Sequence, residues 1–178
     1  MKQGFVKVAS ATPRIRVADP VYNAQVICEQ AKEAAEHGAK IVVFPELCIT
    51  GYTCNDLFLQ ELLLEKAKEA LLTIVEETGQ LEALFLVGLP VDKDGRLYNV
   101  AAVLYRGRIL GMIPKKNIPM YAEFYEGRHF TPGEETVTEY RLGKQEIPFG
   151  TNLLFRCEEL PELILGCELC EDLWVAEP

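Results

Sequence analysis

Apolar and polar positions follow two different periods along the first part of the chain. Residues 4–10 alternate, which predicts a first strand. Asp19 and Pro20 then supply an N-cap acid and a proline at the first helical position. The apolar residues that follow recur on one helical face as far as Gly38, a residue that favours a helix end. Residues 41–44 are a short apolar run with branched side chains, which predicts a buried strand.

The middle of the chain predicts a longer helix followed by strands. Residues 56–78 are rich in Leu, Ala, Glu and Lys, which favours a helix, and residues 84–89 form another apolar strand. Residues 97–105 and 108–113 flank an Arg-Gly pair and predict a hairpin.

The last third of the chain has no sustained period at first. From residue 114 to about 150, Pro, Gly, Tyr and charged residues dominate, which predicts long ordered loops. Residues 151–156 and 162–168 predict two more strands. The whole order predicts an α/β layered domain in which helices cover a mixed sheet.

Composition and charge narrow the classes of function. The 178 residues are enough for one domain, and 18 basic against 27 acidic residues give a net charge of −9. This excess of negative charge argues against nucleic-acid phosphates and anionic membrane surfaces as partners. No apolar run approaches the roughly 20 residues of a membrane span, and the N-terminus lacks an export signal. A cytoplasmic protein is expected, with its six cysteines as reduced thiols.

Three polar residues follow predicted strands, where ligands of α/β sheets gather. Glu46 comes after the strand at 41–44, although a lone acid there is also typical of a solvated loop. Lys115 and Lys116 lie between two prolines that restrict the backbone, and this argument does not separate them from each other or from a basic surface loop. Cys170 comes as the strand at 162–168 ends.

The spacing of Cys167 and Cys170 admits other interpretations. A C-x-x-C pair occurs in zinc sites, but a zinc site needs about four ligands, and the sequence has no second pair. A redox pair is expected near the first strand, opening a helix, and this one lies near the other end. We interpret Cys167 as structural. A carboxylate, an ammonium and a thiol together predict acyl transfer with a base, a charge stabiliser and a nucleophile.

Three segments resemble the nitrilase, or carbon–nitrogen hydrolase, superfamily. They are Phe-Pro-Glu-Leu-Cys-Ile-Thr-Gly-Tyr at 44–52, Pro-Lys-Lys-Asn-Ile-Pro at 114–119 and Cys-Glu-Asp-Leu-Trp at 170–174. They occur in the family's order and span nearly the whole chain. Residues 50–58 and 121–126 are similar to one branch, the glutamine-hydrolysing domains of glutamine-dependent NAD(+) synthetases.

The resemblance implies roles for individual residues. Glu46 matches the general base, Lys115 rather than Lys116 the family's lysine, and Cys170 the nucleophile. Three further matches are implied: Glu171, whose backbone N–H faces the oxyanion; Glu123, which supports the lysine; and Tyr121, which contacts bound glutamine.

The resemblance also implies an architecture and partners. The expected fold is an αββα sandwich, with residues 1–178 as its N-terminal portion, incomplete at the C-terminus. The rest of that domain and an ATP-using synthetase domain are expected after Pro178. L-glutamine is the expected substrate, and pairing of such domains implies a homo-oligomer. No metal or organic cofactor is expected for the glutaminase reaction; ATP and Mg²⁺ belong to the synthetase domain.

Two other functions remain open from the sequence. One is a stand-alone amidase or carbamoylase of the same superfamily, with the same three residues and a different substrate. The other is a non-catalytic assembly domain, in which the three residues would lie far apart.

Overall fold

The computed structural model describes residues 4–176. The strands and helices, in chain order, are β1 Val8–Ser10, α1 Pro20–Glu36, β2 Ile41–Val43, α2 Glu61–Glu77, β3 Leu84–Lys93, β4 Arg96–Tyr105, β5 Arg108–Pro114, β6 Thr138–Leu142, β7 Gln145–Phe149, β8 Phe155–Arg156 and β9 Ile164–Leu165.

The strands described between residues 4 and 176 form a mixed seven-stranded sheet and a separate two-stranded ribbon. The order in the sheet is β1-β2-β3-β4-β5-β7-β6, and β8 pairs with β9 in the ribbon. Strands β1, β2 and β3 are parallel, whereas β4 and β5 continue as antiparallel hairpins. β7 joins β5 in parallel, and β6 pairs with β7 antiparallel. The predicted mixed α/β sheet is therefore present.

Helix α1 has the boundaries that its end signals predict. The side chain of Asp19 accepts a hydrogen bond from the backbone N–H of Tyr22 at 3.1 Å, and Pro20 is the first helical residue. Gly38 has a φ of +82°, a left-handed conformation that glycine adopts without steric cost after a helix.

The predicted helix at 56–78 is in fact two elements. Residues Tyr52–Leu59 form irregular 3₁₀ turns that are interrupted at Asn55, whose φ is +49°. Gln60 is extended, and α2 begins at Glu61. This segment is therefore separate from the first turn of α2, and of its apolar residues Phe58 is buried whereas Leu57 and Leu59 are exposed.

Strand alternation gives the sheet two different faces. Val100 of β4 belongs to the core between the sheet and the two helices. The next residue, Ala101, and then Val103 belong to a smaller cluster on the other face, where they pack with Ile113 of β5 and with Leu169. The segment that leads to Cys170 is thereby attached to the sheet face opposite the helices.

Several strand predictions were wrong in extent. The region 114–150 was expected to be loops, but it contains the β6–β7 hairpin. Its strands are short and mostly polar, with only Tyr140, Ile147 and Phe149 buried, so the alternation is weak in sequence. The strands expected at 151–156 and 162–168 shrink to the two-residue β8 and β9. Within the described residues, no helix is long and apolar enough to cross a membrane.

Candidate active site

Lys115 lies at the centre of a buried charge cluster. It follows the last residue of β5, and its backbone N–H extends the ladder by donating to the carbonyl of Asn99 in β4 at 2.8 Å. Strand alternation places its side chain on the same face as Ile113, where it is fully buried. Lys116, by contrast, projects to the surface and pairs with exposed Glu135 at 3.1 Å. The structure therefore distinguishes the buried Lys115 from the surface Lys116, which the sequence position alone did not do.

Glu46 reaches Lys115 because the chain crosses tightly over β3. The segment after β2 passes so close to Gly88 that a Cβ there would lie 2.4 Å from the backbone nitrogen of Leu47. Leu47 itself has a φ of +51°, a strained conformation for a branched side chain. Glu46 Oε1 then accepts hydrogen bonds from Lys115 Nζ at 2.8 Å and from Asn99 Nδ2 at 2.6 Å.

The second carboxylate on Lys115 is that of Glu126, where Glu123 was predicted. Glu126 Oε1 accepts from Lys115 Nζ at 2.7 Å, and the residue is 5% exposed, whereas Glu123 is exposed. The loop before it doubles back: Ala122 has a φ of +51°, and Glu126 N donates to the carbonyl of Pro119. This reversal directs the acid three residues further along toward the lysine.

The position of Glu126 is fixed from a second direction by the segment 52–59. The hydroxyl of Tyr52 donates to Glu126 Oε1 at 2.7 Å. Two residues after Glu126, Arg128 donates to both oxygens of Asp56, through Nε at 2.7 Å and Nη2 at 3.0 Å. Arg128, with neighbouring His129, holds the pKa of Asp56 far below its ordinary value. The Asp56–Arg128 pair therefore ties the segment that carries Tyr52 to the turn that carries Glu126.

Cys170 begins a short 3₁₀ turn, Cys170–Trp174, at the edge of this cluster. Its side chain is exposed, and its φ of +49° is again left-handed. Two residues on, the carboxylate of buried Asp172 accepts hydrogen bonds from the backbone and side-chain amides of Asn117 at 2.7 and 3.0 Å, and from Leu169 N at 3.2 Å. Asp172 thus fastens the cysteine turn to the loop that follows Lys115.

The other cysteine of the C-x-x-C pair has a different environment. Cys167 is half-buried, and burial is the main cause that raises the pKa of its thiol to about 11. Both Cys167 and Cys170 are free thiols. In the part of the chain that the structure describes, no group of three or more His, Cys, Asp and Glu side chains is arranged to hold a metal ion.

The charges of the cluster act on one another. Burial acts to lower the pKa of Lys115, but the hydrogen bonds to Glu126 and Glu46 outweigh it, so the pKa of the ammonium is raised. The pKa of the Cys170 thiol is also raised, first by burial and then by Glu46, while Lys115 acts in the opposite sense. Lys115 thus favours the thiolate form of Cys170, but burial and the neighbouring carboxylates outweigh its effect. Cys170 therefore rests as a thiol and needs a base.

Two further predicted residues meet at the mouth of the cluster. The hydroxyl of Tyr121 donates to Glu171 Oε2 at 2.6 Å, and this contact is the main cause that raises the pKa of the tyrosine. The backbone N–H of Glu171 makes a hydrogen bond that lowers the pKa of the Cys170 thiol, so this donor lies beside the sulfur. Tyr121 is more than half exposed and lies at the rim.

A carboxylate with a thiol, a buried ammonium and a backbone donor beside it form a set suited to acyl chemistry. The family model for carbon–nitrogen hydrolases matches residues 7–178, nearly the full chain. The chain belongs to the carbon–nitrogen hydrolase family. Its fold is accordingly the nitrilase-like α/β class that the motifs predicted.

The proteins to which this chain is similar in sequence include glutamine-dependent NAD(+) synthetases. The chain is 40% identical over 177 residues to that of Mycobacterium tuberculosis, which covers 99% of this chain and 26% of the relative. It is 31% identical over 174 residues to that of Thermotoga maritima, with 98% and 26% covered. The chain thus spans about a quarter of the length of these relatives.

Solved structures give the same picture of the fold. A glutamine-dependent NAD(+) synthetase from Cytophaga hutchinsonii superposes with a TM-score of 0.86 at 28% identity, over 93% of this chain and 28% of that one. An amidase from Nesterenkonia sp. superposes with a TM-score of 0.60 at 23% identity, over 80% and 54%. The second likeness shows the shared fold.

Proposed function

We propose that this chain is the glutamine-hydrolysing part of a glutamine-dependent NAD(+) synthetase and releases ammonia for a synthetase domain. The observation that carries the chemistry is the buried Lys115, held between Glu46 at 2.8 Å and Glu126 at 2.7 Å beside the exposed Cys170. The choice of branch is supported by the 40% identity over 99% of the chain.

The first step is attack of Cys170 on the side-chain amide carbon of glutamine. Because the thiol is protonated at rest, Glu46 removes its proton as the sulfur–carbon bond forms. The charge that develops on the amide oxygen is stabilised by the Lys115 ammonium and by the backbone N–H of Glu171. No separate thiolate has to be formed beside two carboxylates.

The second half of the reaction returns the proton and frees the cysteine. Glu46 gives its proton to the leaving nitrogen, the carbon–nitrogen bond breaks, and ammonia departs from a thioester on Cys170. Water then attacks the thioester, with Glu46 accepting one of its protons and returning it to the sulfur, which leaves glutamate. Tyr121 and Glu171, joined at the mouth of the cluster, are proposed to contact the substrate.

The proposed reaction also implies which cofactors, cellular location and assembly to expect. It uses no metal or organic cofactor, and ATP and Mg²⁺ act only in the proposed synthetase domain. The thiol nucleophile has to stay reduced, which favours a cytoplasmic location. Assembly into a homo-oligomer stays a prediction, to be measured by sedimentation.

The test compares two nitrogen sources in the full-length protein that contains this chain. Cys170→Ala is expected to abolish NAD formation from glutamine and to leave formation from ammonium chloride intact, because free ammonia bypasses the nucleophile. Cys157→Ala, at a half-buried cysteine in the β8–β9 ribbon region, is the matched control and is expected to affect neither. Full glutamine-dependent activity in Cys170→Ala would refute the assignment of the nucleophile.

The same experiment discriminates the alternatives. A protein that makes no NAD from either nitrogen source but hydrolyses another amide through Cys170 is a stand-alone amidase or carbamoylase, an alternative that the Nesterenkonia amidase likeness keeps open at the level of fold. A non-catalytic assembly domain predicts separated residues, and the 2.8 Å contact between Lys115 and Glu46 argues against it.

A further inference from the structure

The chain contains two fully buried asparagines that differ in how their amides are satisfied. Asn23 of α1 uses both ends of its amide: Nδ2 donates to the carbonyls of Arg16 at 2.7 Å and Ile49 at 2.9 Å, and Oδ1 accepts from Arg16 N at 2.7 Å. Asn99 of β4 uses only one end: Nδ2 donates to Glu46 Oε1 at 2.6 Å, and Oδ1 is buried without a partner in the described structure.

Stability does not account for an asparagine at position 99. A buried polar atom without a partner is destabilising, and such a group in a native structure calls for another explanation. The next residues on the same face of β4, Ala101 and Val103, are apolar. An apolar side chain at 99 would continue that face without the unpaired oxygen. The amide at this position therefore serves the one contact that it makes, which is with Glu46.

That contact determines which oxygen of Glu46 is available. Asn99 Nδ2 and Lys115 Nζ both donate to Oε1, at 2.6 and 2.8 Å. The hydrogen bonds that Glu46 makes with other described residues all end on Oε1, which leaves Oε2 unoccupied. Glu46 keeps 19% of its side chain exposed, so a reacting group can reach this oxygen.

The same residue also sets the position of the lysine. The backbone carbonyl of Asn99 accepts from Lys115 N at 2.8 Å, so one strand residue holds the lysine by its main chain and the carboxylate by its side chain. The β4–β5 ladder therefore positions Lys115, and the side chain of Asn99 links one oxygen of Glu46 to that ladder.

We propose that Asn99 is a positioning residue for the general base, holding Glu46 by Oε1 so that Oε2 is the atom that takes the proton from Cys170. This inference rests on the proposed amide hydrolysis. The ionised carboxylate is the form that can act as a base.

The test measures pH profiles of glutamine hydrolysis by the full-length protein with Asn99→Leu and Asn99→Asp. Asn99→Leu removes the donor, so the acid limb of kcat/KM is expected to move to higher pH by about one unit, with kcat reduced and KM for glutamine nearly unchanged. Asn99→Asp places a second carboxyl against Oε1, so the acid limb is expected to move further still, since two carboxylates in contact share one proton.

Asn23→Leu is the matched control for loss of a buried amide. It is expected to lower the Tm more than Asn99→Leu does, because three hydrogen bonds are lost instead of one, and to leave the acid limb where it is in the wild type. A purely structural Asn99 would behave in the same way as Asn23.

Three results would overturn the proposal. They are an acid limb that is unchanged in Asn99→Asp, whether or not Asn99→Leu folds; a raised KM with an unchanged kcat; and an equal shift in Asn23→Leu.

Failure of the proposed function is a separate outcome, recognised when the wild-type protein does not hydrolyse glutamine. In that case the pH dependence of Cys170 alkylation by iodoacetamide gives the same comparison without turnover, and an unchanged dependence in both Asn99 variants would overturn the proposal.

Discussion

Gly88 is the residue whose replacement most directly tests how Glu46 is positioned. It lies in β3 and touches no polar group of the site through a side chain. A Cβ at this position would lie 2.4 Å from Leu47 N, 2.7 Å from the carbonyl oxygen of Pro45 and 2.9 Å from the carbonyl carbon of Glu46. All three neighbours are backbone atoms, so rotation of a side chain cannot relieve the contact. Gly88→Ala must move either β3 or the segment that carries Glu46.

The size of the movement follows from these distances. The contact with Leu47 N has to lengthen from 2.4 Å to at least 3.4 Å, where ordinary van der Waals contact begins, a movement of about 1 Å. β3 is held between β2 and β4, whereas the segment after β2 is a loop, so the loop is expected to move. Misplacement of a catalytic group by 1 Å can cost about 100-fold in rate, equivalent to about 2.7 kcal/mol.

The assay again uses glutamine and ammonium chloride side by side in the full-length protein. Gly88→Ala is expected to lower kcat/KM with glutamine about 100-fold and to leave the rate with ammonium unchanged. Gly166→Ala is the matched control, since its Cβ would meet only Leu154 at 3.5 Å, an ordinary contact. Circular dichroism checks that both variants fold. A folded Gly88→Ala variant within twofold of the wild type would refute the reasoning.

Three further predictions concern the cluster. Glu46 raises the pKa of the Cys170 thiol, and Lys115 lowers it. Glu46→Gln should therefore shift the pH midpoint of Cys170 alkylation by iodoacetamide downward, and Lys115→Met should shift it upward. Shifts of both variants in the same direction would contradict this. In the wild type, brief labelling followed by mass spectrometry should modify exposed Cys170 before half-buried Cys167, whose thiol pKa is about 11, and the reverse order would count against the assignment. Asp172→Asn replaces one of the two oxygens that accept backbone N–H groups with an NH2 donor, so the free energy of unfolding should fall by about 1–3 kcal/mol, seen as a lower Tm. An unchanged Tm would show that these hydrogen bonds do not hold the cysteine turn in place.

The main elements of the fold were predictable because their signals are local. Helix α1 has its N-cap acid, its first-turn proline and its terminal glycine within the sequence that forms it. The β4–β5 hairpin was predicted from an Arg-Gly pair, and both residues have positive φ, at 47° and 72°, as a two-residue hairpin turn requires. The β6–β7 hairpin was missed because its strands bury few side chains, so it has little apolar alternation.

The sequence was sufficient to name the candidate reacting groups but not the contacts that support them. Glu46, Lys115 and Cys170 lie in recognisable motifs at the ends of strands. Glu126 was missed because the distance along the chain did not reveal the reversal at Ala122 that turns it inward. Two other supporting residues were missed for a related reason. Asn99 and Gly88 both contact the segment that carries Glu46, which is distant from them in sequence. Only the folded structure shows that this segment passes over β3 and β4.

The two carboxylates on Lys115 are not equivalent, and their difference fits the proposed reaction. Glu46 is 19% exposed and Glu126 is 5% exposed, so the first can exchange a proton with a reacting group and the second cannot do so easily. When Glu46 takes the thiol proton it becomes neutral and no longer compensates the charge of Lys115. A fully buried ammonium without a counter-ion would tend to lose its proton, at the step where its charge is needed beside the oxyanion. Glu126, at 2.7 Å and held by Tyr52, keeps Lys115 charged throughout that step. Glu46 is therefore free to transfer a proton because Glu126 stays ionised and keeps Lys115 charged.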